Sequence, residues 1–142
     1  LILGDGEQRN EIEKLSNSLN LQKYIFMPGW VENPTLYLKK ADLFVLPSNY
    51  EGFGLVIIEA MSVGLNVVST DCKSGPSEIL KRGEYGFLCE VDSPQSLANK
   101  ILESMENLIN SSILENRSKD FSVEVIGKKY IGMINDYLHI KS

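Results

Sequence analysis

The sequence predicts an α/β domain built on a doubly wound parallel sheet with helices on both faces. Short apolar runs bounded by turn residues recur along the chain, and they lack the polar alternation of half-exposed strands. Segments with helical spacing of apolar residues separate these runs. Strand and helix therefore alternate, an order that implies right-handed crossovers between parallel strands.

Five strands are predicted in chain order, at residues 1–3, 24–27, 43–46, 66–69 and 87–89. A helix of mainly apolar residues is expected to begin near Leu55. The positions that mark the other helices are Ile12, Leu15 and Leu19; Leu36, Leu38 and Ala41; Leu97, Ile101, Leu102, Met105 and Ile109; and Val123, Ile126, Tyr130, Ile134 and Tyr137. Ligands of such folds bind beyond the carboxyl ends of the strands, so the loops after each strand carry the functional information.

Composition excludes several classes of function. The 142 residues include 14 basic and 19 acidic side chains, a formal net charge of −5 that argues against a nucleic-acid surface. His139 is the single histidine, so a Ser-His-Asp triad, a Cys-His dyad and a histidine-rich metal site are not expected within this chain. No Asp-x-Asp motif occurs, and we expect neither a metal nor another cofactor.

The two cysteines indicate a reducing compartment. Cys72 and Cys89 form no C-x-x-C pattern, and buried, reduced thiols of a cytoplasmic protein are the simplest interpretation. The sequence contains neither an apolar run of 18 residues nor an export signal. It opens on an apolar strand without an initiator Met, which we interpret as a segment of something longer.

The loop at residues 4–9 resembles the start of a dinucleotide-binding fingerprint but has Arg9 where the third glycine would stand. A plain turn from strand to helix is the simpler interpretation. The next loop, residues 28–34, carries the single Trp of the chain, Trp30, beside Gly29 and between two prolines. On composition alone, Trp30 covers the core more readily than it caps a flat aromatic ligand.

The most informative loop follows the strand at 43–46 and reads Pro-Ser-Asn-Tyr-Glu-Gly-Phe-Gly before the helix at Leu55. Gly52 and Gly54 let the backbone bend so that the N–H groups around Phe53, Gly54 and Leu55 point outward together at a helix N-terminus. Unpaired amides and the helix dipole favour a phosphate there.

Two carboxylates bracket this predicted anion site. Glu51 precedes the turn, and Glu59 lies one helical turn above Leu55. An ionised carboxylate only accepts hydrogen bonds, so both would suit hydroxyl-rich groups flanking a phosphate, such as a ribose diol and a hexose. The alternatives are a solvated helix residue for Glu59 and a helix-capping loop acid for Glu51.

These residues resemble the E-x7-E signature of retaining glycosyltransferases with the two-domain GT-B fold, of the group 1 or family 4 type. The similarity extends to Phe-Met-Pro-Gly-Trp-Val at 26–31, Ala-Asp-Leu-Phe-Val-Leu-Pro-Ser at 41–48 and Gly-Leu-Asn-Val-Val-Ser-Thr at 64–70. It covers essentially all of residues 1–142. The resemblance implies a Rossmann-like, C-terminal domain that binds a nucleotide sugar.

The resemblance also implies roles for individual residues. It places Glu51 beside the donor sugar, the backbone of Gly52, Phe53, Gly54 and Leu55 against sugar or diphosphate, and Glu59 on the ribose hydroxyls.

The resemblance further sets the backbone of Trp30 and Val31 against the nucleobase, which reverses the preference from composition, although the indole is still free to pack inward. The segment 74–78, Ser-Gly-Pro-Ser-Glu, is similar to a variant common in enzymes that use UDP-hexoses or UDP-N-acetylhexosamines. Ordinary N-capping of the next helix explains that segment equally well.

The implied activity is transfer of a hexosyl or N-acetylhexosaminyl group from a nucleoside diphosphate sugar, UDP being favoured, to a glycan or lipid-linked acceptor in polysaccharide or glycolipid biosynthesis. A nucleotide-sugar epimerase and a non-catalytic nucleotide-sugar-binding module on the same fold are the alternatives. The family's diphosphate-binding Arg and Lys, its first strand and its acceptor-binding N-terminal domain would precede Leu1. We therefore expect the isolated chain to be inactive.

The parent protein is expected in the cytoplasm, with the inner face of the membrane as a further option. Lys119, Lys128, Lys129 and Lys141 would suit contact with anionic lipid. Glu124 and Asp136 share that part of the chain, and a solvated face is the preferred interpretation.

Overall fold

The computed structural model describes residues 1–140, with side chains described for residues 1–138. Two compact units are present, the first being Leu1–Tyr37 and the second starting at Leu38. Each unit is described below by itself.

In the first unit, helix α1 spans Arg9–Ser18 and a single parallel bridge joins Leu3 to Gly29. The N–H of Ile2 donates to the Phe26 carbonyl at 2.9 Å, next to this bridge. The prediction of full strands at 1–3 and 24–27 is therefore wrong in extent. A turn still runs through residue 24, and two short segments pairing on their own make only a marginal ladder.

Arg9 stands where a dinucleotide-binding fingerprint would have its third glycine, and its side chain makes hydrogen bonds within the first unit. Its Nη2 donates to the Met27 carbonyl at 2.7 Å, and its Nε donates to Glu13 Oε1 at 3.0 Å. The loop before it turns at Gly4, whose φ is +101°, and lines a shallow cavity of about 520 Å³. Arg9 therefore ties α1 to the segment that follows the helix.

The second unit contains a parallel sheet of three strands in the order β1, β2, β3. Its strands are β1 (Phe44–Leu46), β2 (Val67–Thr70) and β3 (Phe87–Cys89). Phe44 lies opposite Val67, and Val68 lies opposite Phe87. The strands predicted at 43–46, 66–69 and 87–89 are confirmed to within one residue.

Helices occupy the connections and the rest of the second unit. They are α2 (Thr35–Leu38, which begins in the first unit), α3 (Leu55–Ser62), α4 (Pro76–Ile79), a 3-10 turn (Lys81–Gly83), α5 (Pro94–Glu106), α6 (Ser111–Lys119) and α7 (Val123–Ile140). The predicted stripe at 97–109 overruns α5, since Ile109 lies beyond its end. Helix α6 was not predicted because Ile113 and Leu114 are its only large apolar residues.

Helices cover both faces of the central strand. All four residues of β2 are buried, and both α3 and α5 pack against that strand. Val67 belongs to the main core cluster, together with Ile57, Met61, Ile79 and Leu114, whereas its neighbour Val68 is buried outside that cluster. Because adjacent residues of a strand point to opposite faces, this division confirms the doubly wound α/β prediction.

Within residues 1–140, no helix combines the length and apolar character needed to cross a lipid bilayer. Of the lysines considered for lipid contact, Lys128 and Lys129 lie on α7 and Lys119 ends α6. Lys128 Nζ lies 2.8 Å from Glu124 Oε1, and both side chains are largely exposed. This pair is what a solvated face would show. Lys141 lies outside the described residues.

The Cys89 thiol should resist modification in the folded protein. It is 4% exposed, its Sγ lies 3.5 Å from the Ser69 carbonyl oxygen, and burial raises its pKa. In a Cys72→Ser variant, where only Cys89 can report, we expect the onset of reaction with a disulfide reagent at a pH above the roughly 8.5 of a solvated cysteine. The same variant in urea is the control. Equal rates in the folded and unfolded states would contradict the buried placement.

Candidate functional site

The segment at residues 47–54, which links β1 to α3, ends in a helix start whose amides are free. Gly54 is the N-cap residue with φ +89°, a left-handed conformation that glycine adopts without strain. Because glycine has no side chain, this N-cap residue offers no side-chain oxygen to the first N–H groups of the helix. Within residues 1–140, the N–H groups of Phe53, Gly54, Leu55 and Val56 donate to no protein acceptor. The structure therefore presents several backbone donors together at the positive end of α3.

The Phe53 side chain takes no part in this donor surface. Its ring packs against the core of the second unit and meets the Phe121 ring edge-on, with centroids 5.7 Å apart and planes at 65°. Both residues are partly buried, and an aromatic pair of this geometry anchors the turn. The ligand contact that the resemblance implies for the Phe53 backbone stays a prediction.

Glu51 is half-buried and oriented by two serines. Its Oε1 accepts a hydrogen bond from Ser48 Oγ at 2.7 Å, and its backbone carbonyl accepts one from Ser74 Oγ at 3.1 Å. The Ser48 carbonyl in turn accepts a hydrogen bond from the Thr70 hydroxyl of β2. Glu51 does not cap α3, so the capping alternative is not observed. Its Oε2 makes no hydrogen bond to the described residues and is available to a ligand.

Glu59 lies on α3, one turn above Leu55, with its carboxylate exposed. That carboxylate makes no hydrogen bond or ion pair with the described part of the chain. A free acceptor group is what binding to a diol requires, and it is also what a solvated residue shows. The assignment of Glu59 to ribose stays a prediction.

A second loop, residues 71–75 after β2, contacts the first at the level of the backbone. Gly75 has φ +93°, and a Cβ placed there would overlap the Phe53 carbonyl. Helix α4 has Gly75 as its N-cap, so residues 74–78 do begin this helix, but no side chain of the segment caps it. Ser74 instead bonds to the carbonyl of Glu51. Sequence spacing carried no signal of this contact.

The loop after β3 joins the same edge of the sheet. Asn49 Nδ2 donates to Asp92 Oδ1 at 2.6 Å, which connects the segment after β1 with the segment after β3. Asp92 adopts a left-handed conformation, φ +57°. Loops from the carboxyl ends of all three strands are thus bonded to one another, as expected for the ligand-binding edge of this fold.

Trp30 and Val31 belong to the first unit. The Trp30 side chain is 76% exposed, so neither a core lid nor inward packing of the indole is observed. Val31 is partly buried. Their predicted contact with a nucleobase stays a prediction, as do the ligand contacts assigned to the other site residues.

Comparison with known proteins identifies related sequences. A family model described as "Glycosyl transferases group 1" matches residues 1–121. The chain is 33% identical over 139 residues to the poly(ribitol-phosphate) alpha-N-acetylglucosaminyltransferase of Staphylococcus aureus, which covers 94% of the chain and 28% of that protein. It is also 34% identical over 119 residues to the N-acetylgalactosamine-N,N'-diacetylbacillosaminyl-diphospho-undecaprenol 4-alpha-N-acetylgalactosaminyltransferase of Campylobacter jejuni, covering 84% of the chain and 33% of that protein.

Solved structures agree with the sequence comparison. A mutant of S. aureus TarM in complex with fondaparinux, alpha-GlcNAc-glycerol and UDP superimposes with a TM-score of 0.79 at 31% identity, covering 94% of the chain and 28% of that protein. The chain therefore spans about a third or less of the length of these relatives.

The backbone contact at Gly75 gives a direct test of the loop cluster. Gly75→Ala should lower stability more than Gly83→Ala, because Gly83 has a similar φ of +97° but open space where the methyl group would go. Both variants place a Cβ on a residue with positive φ, which costs about 1–2 kcal/mol or more, and only the first adds an overlap with the Phe53 carbonyl. Urea unfolding of the two variants measures the difference. Equal free energies of unfolding would contradict the close approach.

Proposed function

Because the chain belongs to the group 1 glycosyl transferase family, we propose that it forms the donor-binding domain of a transferase acting on a nucleoside diphosphate sugar. The group transferred is a hexosyl or N-acetylhexosaminyl residue, and the acceptor is a glycan or a lipid-linked sugar. The names of the S. aureus and C. jejuni relatives support these classes of donor group and acceptor. UDP is the favoured nucleotide, since a similar structure contains it.

The observation that carries the proposal is the set of free N–H groups at the start of α3. Amides aimed at one point bind an anion without bringing a mobile side chain with them, and the helix dipole adds roughly half a positive charge. A diphosphate seated there develops further negative charge as the bond to the sugar breaks. Donors already in place stabilise that charge without reorganisation.

The two carboxylates then flank the diphosphate in different roles. Glu51 is fixed through Ser48 and keeps one oxygen free, which suits a hydroxyl of the donor sugar and the positive charge that develops at the anomeric carbon. We assign it a positioning or electrostatic role at the reacting sugar and no covalent bond to it. Glu59, exposed and unpaired among the described residues, accepts hydrogen bonds from the ribose hydroxyls. Retention at the anomeric carbon completes the proposal.

The remaining parts of the reaction belong to other segments of the proposed enzyme. We propose that the acceptor is bound by an N-terminal domain, and that an Arg and a Lys upstream of Leu1 neutralise the diphosphate. Trp30 and Val31 are proposed to contact the base through their backbone. The reaction requires no metal in this proposal, because amides and cations take the role of a bridging ion. On its own the chain would bind the donor and transfer nothing.

We place this enzyme in the cytoplasm, at the inner face of the membrane where lipid-linked acceptors are made available. The name of the C. jejuni relative, which contains a diphospho-undecaprenol acceptor, supports this location.

Titration of the chain with UDP and with uridine tests the proposal. If the free amides hold the diphosphate, UDP binds more tightly than uridine, because uridine lacks the phosphates that these donors contact. Calorimetry or ligand-observed NMR gives both affinities. Equal affinities, or no binding of UDP, would overturn the assignment of the α3 terminus.

Glu59→Ala tests the ribose contact. Removing an acceptor for the ribose hydroxyls should weaken UDP binding by about 1–3 kcal/mol, or roughly 5- to 150-fold. Glu106→Ala is the matched control, since Glu106 is an exposed helix glutamate of α5 that lies away from the carboxyl edge of the sheet. An unchanged UDP affinity in Glu59→Ala would return Glu59 to a solvated surface role.

A further inference from the structure

Arg117 lies on α6, and its guanidinium makes both hydrogen bonds and contacts with aromatic rings. Among the described arginines of the second unit, only Arg117 combines the two kinds of contact. Its side chain is 16% exposed. Nε donates to the Ile79 carbonyl at 3.0 Å and Nη2 to the Glu78 carbonyl at 2.9 Å. The planar group contacts two rings and lies 5.2 Å from the Tyr85 centroid and 4.7 Å from the Phe121 centroid. So many simultaneous contacts fix the position of this guanidinium.

Two of these contacts lead to the turn at residues 52–54 by way of α4. The Glu78 and Ile79 carbonyls belong to the C-terminal end of that four-residue helix, and the Glu78 carbonyl also accepts a backbone N–H of the helix cap. The helix begins directly after Gly75, whose backbone lies against the Phe53 carbonyl. By holding the end of α4, Arg117 holds Gly75 against the turn.

The third contact reaches the same turn through side chains. The Arg117 guanidinium lies over the Phe121 ring. The same ring meets the Phe53 ring edge-on, with the two ring centroids 5.7 Å apart. Arg117 therefore acts on Phe53 from two directions, on its backbone through Gly75 and on its ring through Phe121. Phe53 and the three residues after it carry the free N–H groups.

The geometry points to Arg117 as a positioning residue that sets the direction of the backbone donors at the start of α3. This inference rests on the proposed function of those donors as the diphosphate site. An anion site made of amides loses binding energy when its donors are misaimed, because hydrogen bonds weaken steeply with angle and distance. The arginine itself lies behind the turn and touches no ligand in this scheme.

Lysine cannot replace this arginine. It is a point charge on a flexible stem, without the planar fork that bonds two adjacent carbonyls or the flat surface that stacks on rings. In Arg117→Lys we expect the preference for UDP over uridine to fall about tenfold, the equivalent of roughly one charge-assisted hydrogen bond. Phe121→Leu, which interrupts only the side-chain route, should change the preference in the same direction and by less.

Asp120→Ala is the matched control. Asp120 Oδ2 accepts from Arg117 Nη1 at 2.8 Å on the outer side of the guanidinium, and the Asp120 side chain is 57% exposed. Removing it takes away a surface ion pair of little energetic weight and leaves the inner donors in place. The UDP preference should stay at the wild-type value.

The ratio of UDP to uridine affinity is the deciding measurement, with melting temperatures recorded alongside. A loss of folded protein lowers the number of binding sites for both ligands and leaves the ratio unchanged.

An unchanged ratio in Arg117→Lys with a lower melting temperature would show that Arg117 only stabilises the fold. If Arg117→Lys does not fold, Phe121→Leu decides by the same criterion. A fall in Asp120→Ala as large as in Arg117→Lys would also overturn the inference. A wild-type chain with no preference for UDP would instead refute the proposed function.

Discussion

Phe53 lies between the core of the second unit and its candidate ligand surface. The candidate site depends on two contacts of this residue, one through its ring and one through its backbone carbonyl. The ring is held in the core against Phe121, while the carbonyl lies against Gly75. With both ends of the residue fixed, the turn that carries the free N–H groups is held in place. A site made from backbone donors has no side-chain rotamers to order, so its precision comes from the packing beneath it.

The orientation of Glu51 also depends on hydrogen bonds with neighbouring residues. A carboxylate next to a group of free amides can turn into the site itself, and it is repelled by any anion bound there, unless its own hydrogen bonds direct it elsewhere. Ser48 holds one of its oxygens, and the Thr70 hydroxyl of the buried central strand holds the Ser48 carbonyl. The acid is thereby linked to the most buried strand of the sheet. This arrangement leaves the second carboxylate oxygen without a hydrogen bond to the described residues, as an acceptor for hydroxyl groups would need to be.

Sequence reasoning predicted the elements of the second unit better than those of the first. The strands at β1, β2 and β3 are short apolar runs between turn residues, and the helix start at Leu55 follows from two glycines and an apolar run. The segments 1–3 and 24–27 carry the same signal but lack neighbouring strands within their unit, so only one bridge forms. Glu51 and Glu59 were identified from the motif. Thr70 and Arg117 were not, because threonine and arginine are common everywhere and these two donate to backbone carbonyls more than twenty residues away. Ser74 was noted only as part of the segment 74–78, and neither its bond to the Glu51 carbonyl nor the bond from Ser48 to the Glu51 carboxylate was predicted.

The bond between Asn49 and Asp92 has a consequence for folding. Paired residues of the three parallel strands lie about twenty positions apart along the chain, so the sheet must close long loops before its contacts form. The loops at its carboxyl edge can meet only after both crossovers are in register. A molecule that contacts these loops together binds only the chain whose sheet is fully assembled. By mass action, such binding lowers the population of partly open states. Occupancy of this edge by a ligand and hydrogen-exchange protection of the strands would then rise together, so a bound ligand would lengthen the lifetime of the folded chain.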